Sequence, residues 1–365
     1  MQPPTANHLV RSACLAVLLL VGGLPNASLQ ALAQDTMSSG ELGLLGIRGA
    51  DPSVIKTDDG YVAIESRRGR QLFVRVAARL EDLAAAKAHR IWSDPDRLGD
   101  VWAPEILFRN GRYEVYFTAG VDRFHRMYTI RSDRPEAGYG DAMQIDLPDN
   151  KWAIDGVPFT YQEAGYFIWS GWQSDTDVQQ DIFIAPMNRD GVVQAPRVAI
   201  ASPDRAWENV AKETPSINEG PQPIVDPAGQ LHVVYSANGS WGANYCLSDL
   251  RLEAGGNPLD PDAWRESDGC LFGANPSTLA TGATLAIKSK GVGHHSFILP
   301  NGDPGAIRGS EQQVPFLYHG VPAQEEPPNF WEAREWYVGT FRWVPDVAYG
   351  SGQRRDVGWS LQFTE

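Results

Sequence analysis

Cysteine is scarce in this chain, with three in 365 residues. Cys14 sits in an N-terminal apolar run, which leaves Cys246 and Cys270 as either one bridge or two separate thiols. Basic residues are also few: 31 Lys and Arg stand against 45 Asp and Glu, for a net charge of −14. That balance argues against nucleic acid or an anionic membrane as partner and suits a neutral substrate. Beyond the N-terminus no run is apolar enough to cross a bilayer. Convincing helical stretches are missing too; the best, residues 80–89, predicts one short surface helix. No linker rich in Pro, Gly or Ser divides the chain.

The first 33 residues read as a secretory signal. Arg11 gives a positive start, residues 13–24 are apolar, and Ala31-Leu32-Ala33 offers a small-x-small cleavage site. Cys14 opens the apolar run rather than following it, which argues against a lipoprotein anchor. An exported chain permits a Cys246–Cys270 disulfide, and Asn238-Gly239-Ser240 is a glycosylation sequon for a eukaryotic host. Residues 34–365 form the expected single domain, of extracellular or periplasmic location.

Within that domain a unit recurs. Five extended runs open at a short polar or proline-containing motif and reach a glycine seven to ten residues later: Asp51-Pro52 to Gly60, Ala103-Pro104 to Gly111, Asp155 to Gly165, Glu219-Gly220-Pro221 to Gly229, and His294-His295 to Gly302. After the first four glycines comes an apolar, aromatic-rich strand that ends in Ser or Thr (61–66, 112–118, 166–170 and 230–236). Further strands are expected at 71–76, 127–130, 181–185, 191–200 and 314–319. Thirty-six Gly and 26 Pro punctuate them. Glycine spacings of 51, 54 and 64 suit propeller blades of four short strands. The fold expected is all-β, a single five-bladed β-propeller; a β-sandwich is the rival but leaves the equivalent openings unexplained. Strands at 337–343 and 357–363 are expected to pair with the N-terminal strand and close the ring, which removes sheet edges.

In such a ring the innermost strands line a channel and their starts converge at one end. Asp51, Asp155 and Glu219 then face a common pocket. Glycoside hydrolysis needs one carboxylic acid to protonate the leaving oxygen and a carboxylate to attack or to activate water. The two must differ in protonation near neutral pH, and a nearby like charge raises one pKa. Three acids supply base, acid and modulator. Twelve Trp serve the core or form platforms for the C–H faces of sugars.

Ala50-Asp51-Pro52-Ser53, Trp102-Ala103-Pro104-Glu105, Ile154-Asp155-Gly156, Asn218-Glu219-Gly220-Pro221 and Gly293-His294-His295-Ser296-Phe297, in this order and spacing, resemble glycoside hydrolase family 43 from about residue 49 to 343. The resemblance implies a five-bladed propeller and an inverting mechanism. It makes Asp51 the general base, Glu219 the general acid, and Asp155 the residue that orients Glu219 and raises its pKa. It places His294 on the channel axis beneath the sugar, with His295 the other histidine that can face the channel. It puts Trp102 in the sugar-binding wall and Glu105 beside it, in a role that includes holding neighbouring backbone. Arg334 is a substrate-contact candidate, with a solvated arginine as its alternative, because Gly339 stands where relatives often carry Gln.

Segments 235–241, 245–247, 259–264 and 291–294 resemble the branch that releases terminal α-L-arabinofuranose from arabinan or arabinose-substituted hemicellulose. A β-xylosidase is the nearest alternative chemistry, and a non-catalytic carbohydrate-binding propeller is the alternative of another class. No cofactor is required and no metal residue is assigned, although relatives admit a structural calcium. The expected partner is an arabinose-containing oligosaccharide or polysaccharide.

Overall fold

The computed structural model describes residues 43–176, 178–212, 214–307, 309–345 and 358–365. The signal reading of residues 1–33 lies outside them. The described strands fall into five small, mainly antiparallel sheets arranged as a five-bladed propeller. Blade I contains Ser53–Thr57, Gly60–Arg67, Gln71–Ala77 and His89–Ser93. Blade II contains Asp100–Arg109, Arg112–Gly120, Arg126–Ser132 and Met143–Gln144. Blade III contains Ala153–Tyr161, Ala164–Gly171, Asp181–Pro186 and Val198–Ala201. Blade IV runs from Asn218–Val225 through Leu231–Ala237 and Cys246–Leu252 to outer strands Trp264–Glu266, Cys270–Gly273 and Leu279–Leu285. Blade V holds Ser289–Phe297, Val314–Pro322 and Glu335–Pro345.

The ring closes where the sequence suggested, through the pairing of Glu335–Pro345 with the first described strand, but Trp359–Thr364 pairs with Glu335–Pro345 and not with that first strand. Gly43–Arg48 and Trp359–Thr364 both pair with Glu335–Pro345, so the fifth blade is completed from both ends of the described chain. Each blade begins at the centre and passes outward, so the five first strands are neighbours around the axis.

Local chemistry explains the hairpins. Asn110-Gly111 joins the first two strands of blade II with both φ values positive, 51° and 76°, the turn that matches strand twist. In blade III the turn is Gln162-Glu163, and the expected turn residue Gly165 instead lies inside the second strand, opposite Thr160. Second strands such as Leu231–Ala237 are buried throughout, as a short continuous apolar run between turns implies. Their side chains fill the wedges between blades: one apolar cluster joins blades I and II, another blades V and I, a third blades IV and V, and the largest spans II to IV.

Three expectations need correcting. The helix expected over 80–89 is a single 3-10 turn, Leu80–Leu83, whose two leucines are buried three residues apart before the chain re-extends as His89–Ser93. The strand expected over 191–200 is confined to Val198–Ala201, because Asn188 gathers the amides of Asp190 and Val192 into a turn. Asn238 is buried and donates its amide to the Trp207 carbonyl at 3.0 Å, so this sequon is not presented to solvent. Cys246 and Cys270 are bonded to each other.

Candidate active site

Four of the five inner strands share one irregularity, and the fifth opens on its counterpart. The pairing of first with second strand slips between Trp102 and Glu105, Ile154 and Val157, Glu219 and Gln222, and Gly293 and Ser296. At each slip one residue takes the left-handed conformation: Ala103 (φ 44°), Asp155 (57°), Gly220 (61°) and His294 (39°), with Asp51 (52°) just ahead of the blade I strand. For non-glycine residues this costs roughly 1–2 kcal/mol each, and such strain gathers at functional sites. It turns side chains from the blade into the channel mouth.

Side chains of the preceding blade hold three of these residues by their amides. The Asp51 N–H donates to His319 Nδ1 (3.1 Å), the Asp155 N–H to Thr118 Oγ1 (3.3 Å), and the His294 N–H to Ser236 Oγ (2.8 Å). Thr118 and Ser236 are the residues noted as ending second strands, and His319 occupies the same position in blade V. The register also refines the expected equivalence of the three acids. Asp51 and Asp155 are equivalent to Gly220, and Glu219 stands one residue earlier, opposite Ser236. Gly220 is required there: its φ is positive, and a Cβ would lie 3.2 Å from the His294 ring.

Asp51, Asp155 and Glu105 surround His294, and Glu219 is tied to them through the Gly220 amide. The His294 Nδ1 lies 3.3 Å from Asp51 Oδ1 and 3.8 Å from Asp155 Oδ2, and its Nε2 lies 3.6 Å from Glu105 Oε1. Asp155 Oδ2 also accepts the Gly220 N–H at 2.9 Å, so it bonds the backbone immediately after Glu219. Glu219 Oε1 accepts the Tyr245 hydroxyl at 2.9 Å. Tyr245 lies parallel to His319 with ring centres 5.5 Å apart. On its other side is Gly293, where a Cβ would fall 2.1 Å from the Tyr245 ring. Glu105 accepts the Gln222 amide at 2.9 Å.

Electrostatics divide these groups. Burial alone would raise the Asp51 pKa, but the His294 charge, with contributions from His319 and Arg334, holds it below the ordinary carboxylate range. Burial, with repulsion from Glu219 and Asp51, pushes the Asp155 pKa up to about 8, and burial with repulsion from Asp51 raises that of Glu219, both against the charge of His294. Asp155 and Glu219 therefore hold their protons to higher pH than Asp51 does. Burial would discharge His294, yet Asp51, Asp155 and Glu105 raise its pKa to about 10, so the ring carries the balancing positive charge. His319 is pushed down to about 3 by burial and by Arg334. Because its Nδ1 accepts the Asp51 amide, it is the neutral Nε2–H tautomer.

His294, not His295, faces the acids. His295 is fully buried and turned toward Phe297, with ring centres 4.6 Å apart. Arg334 is buried rather than solvated; it donates to the Ser240 carbonyl and lies 5.9 Å from the Trp331 ring. Trp102 is 37% exposed and stacks on His125 at 4.0 Å. It forms part of a cleft of ≈ 580 Å³ with Asp100, Asp122, Arg123, Phe124, His125, Trp152 and Trp172.

Around His294 the oxygens of Asp51, Asp155 and Glu105 are of the kind a hard cation prefers, and the charged imidazole already balances them. Elsewhere Asp204, Glu208 and Glu266 bring carboxylate oxygens within 4.8 Å of one another. There Arg205 already donates to Glu266 at 2.8 Å.

Sequence reasoning missed Tyr245, His319, His125, Trp152 and Trp172 as site residues. His319 was recoverable, since it ends its second strand as Thr118 and Ser236 do. The others depend on loop paths.

Comparison with known proteins gives the family and the fold. The model of "Glycosyl hydrolases family 43" matches residues 44–303. An extracellular exo-α-(1→5)-L-arabinofuranosidase of Streptomyces avermitilis is 30% identical over 259 residues, 68% of this chain and 51% of the relative. Alpha-L-arabinofuranosidase 43 of Humicola insolens is 26% identical over 259 residues, with the same coverage. The chain spans about half the length of these two relatives. The crystal structure of an α-L-arabinofuranosidase from Lactobacillus brevis superposes with a TM-score of 0.69 at 25% identity, covering 88% of this chain and 99% of that one.

Proposed function

This chain belongs to glycosyl hydrolases family 43, and on that premise we propose that it is an extracellular, exo-acting, inverting α-L-arabinofuranosidase. The substrate is a terminal α-L-arabinofuranose on arabinan or on arabinose-substituted hemicellulose. The observation that carries the reading is that Asp51 and Asp155, from two blades, lie against His294, while Asp155 bonds the amide next to Glu219 of a third. A module that only binds sugar has no use for three neighbouring acids that repel one another. The names of the relatives support the arabinose specificity, and the extracellular label of the first, with the signal read in residues 1–33, supports export.

In this mechanism Asp51, kept ionised by its cationic neighbours, takes a proton from water as that water attacks the anomeric carbon. Glu219 gives its proton to the departing glycosidic oxygen. Asp155 holds the Gly220 amide, and so the Glu219 backbone, and its charge keeps the acid protonated. His294 offsets the negative charge beneath the sugar. Trp102 and Arg334 flank the sugar. The chemistry calls for no cofactor.

A substrate panel tests the reading. The 4-nitrophenyl α-L-arabinofuranoside and linear and branched arabino-oligosaccharides are expected to yield arabinose one unit at a time. Preferred release from the β-D-xyloside would instead give the xylosidase, and binding without turnover the lectin-like protein.

A further inference from the structure

Beside the acids lies a cleft whose wall is mostly aromatic. Trp102 stacks on His125 at 4.0 Å with planes 19° apart, and Trp152 stacks on Trp172 at 4.9 Å with planes 14° apart. The two stacks meet edge to face where His125 approaches Trp152, at 6.1 Å. Phe124, 60% exposed, stands at the lip. Asp100, Asp122 and Arg123 supply the polar groups of the lining. Flat aromatic faces with a few hydrogen-bonding groups suit the C–H faces and hydroxyls of a neutral sugar.

The platform is fixed before any ligand arrives. Arg197 donates to the Trp172 and Gln173 carbonyls, both at 3.0 Å, and bonds Asp149 at 3.1 Å. The Trp172 amide donates to the Trp152 carbonyl at 3.1 Å, and the Ala153 amide to the His125 carbonyl at 3.3 Å. The His125 Nδ1 contacts the Asp122 carbonyl at 2.6 Å. Its Nε2 is buried with no hydrogen-bond partner. Pre-ordering of this kind spares a ligand the entropy of organising its site.

The cleft adjoins the acids along the backbone. Trp102 pairs with Thr118, whose hydroxyl accepts the Asp155 amide, and Trp152 precedes Asp155 by three residues on the same stretch of backbone. A chain whose terminal sugar sits at Asp51, Asp155 and Glu219 has this cleft as a neighbouring aromatic surface.

The geometry points to this cleft as the seat of the leaving chain: it binds the pentose units that follow the scissile bond, and Phe124 and Trp172 set how strongly long substrates are preferred over short ones. This rests on the exo-acting reading, under which everything beyond the terminal sugar is leaving group.

The test compares an α-1,5-linked arabinotetraose with 4-nitrophenyl α-L-arabinofuranoside. In Phe124→Ala and Trp172→Ala the ratio of kcat/KM for tetraose over aryl glycoside is expected to fall about tenfold, through KM for the tetraose. Met143→Ala, exposed at the outer edge of blade II, is the control that keeps the wild-type ratio. An unchanged ratio in both cleft variants overturns the proposal. A second readout separates it from the function itself: tetraose is titrated by tryptophan fluorescence into full-length Glu219→Gln, with and without Trp172→Ala. Affinity that Trp172→Ala lowers about tenfold upholds the cleft, even if the wild type turns over no arabinofuranoside and the proposed activity falls. Equal affinity in the two chains removes the cleft, whatever the wild type hydrolyses.

Discussion

At the scale of single residues, the site is a matter of which acid keeps a proton. Asp51 is held ionised by the charges near it, whereas burial and like charge leave the Asp155–Glu219 pair protonated above the ordinary range. On the proposed assignment, Glu219→Gln lowers kcat about 10²–10⁴-fold on arabino-oligosaccharides, whose leaving oxygen needs a proton, and far less on activated aryl glycosides. Steady-state kinetics across leaving groups check this, and a uniform loss counts against Glu219 as the acid. Asp155→Asn removes the negative charge that raises the acid's pKa. The alkaline limb of kcat/KM should therefore move to lower pH, and a limb that stays or moves up contradicts the modulator role. Asp51, Asp155, Glu219 and His294 were legible in sequence because each opens a recurring unit. Tyr245 was not: nothing in Tyr245-Cys246-Leu247 signals that its hydroxyl reaches a carboxylate 26 residues earlier.

At the scale of the strand, second strands do two jobs, packing the wedges and holding the next blade's inner residue. The repeated Ser or Thr at their ends was visible in sequence, but its use was not, because a bond between blades depends on ring closure. Leu231–Ala237 carries a further buried device. His232 is enclosed by Asp249, at 2.7 Å from Nδ1, and Asp226, at 3.6 Å from Nε2, and all three are fully buried. Burial would lower its pKa, but the two carboxylates raise it from 6.5 to about 9. A raised histidine stabilises the fold fully below its unfolded pKa and loses that contribution as pH rises through the folded value. His232→Gln should cost about 3–5 kcal/mol near pH 6 by leaving carboxylates unpaired. The gap to wild type should narrow between pH 6.5 and 9 in thermal or denaturant melts. A gap independent of pH contradicts the charged pairing.

At the scale of the whole molecule, the ring converts distance along the chain into proximity. Asp51, Asp155 and Glu219 are separated by 104 and 64 residues, yet Asp51 and Asp155 meet at His294 and Asp155 bonds the amide beside Glu219. The five-bladed count and the closure through both ends were readable, since turn glycines and strand openings repeat at blade-like spacing. The 80–89 helix and the 191–200 strand were not, because single-turn 3-10 segments and Asn-gathered turns leave little periodicity. The aromatic cleft was visible only as Trp102, because its other walls come from loops between strands. The account's central claim is that Asp51 activates water on one face of the sugar while Glu219 protonates the leaving oxygen on the other. Proton NMR of the first-formed arabinose, recorded before mutarotation, tests it most directly. The account predicts the β-anomer from an α-linked substrate, and initial release of the α-anomer would contradict it.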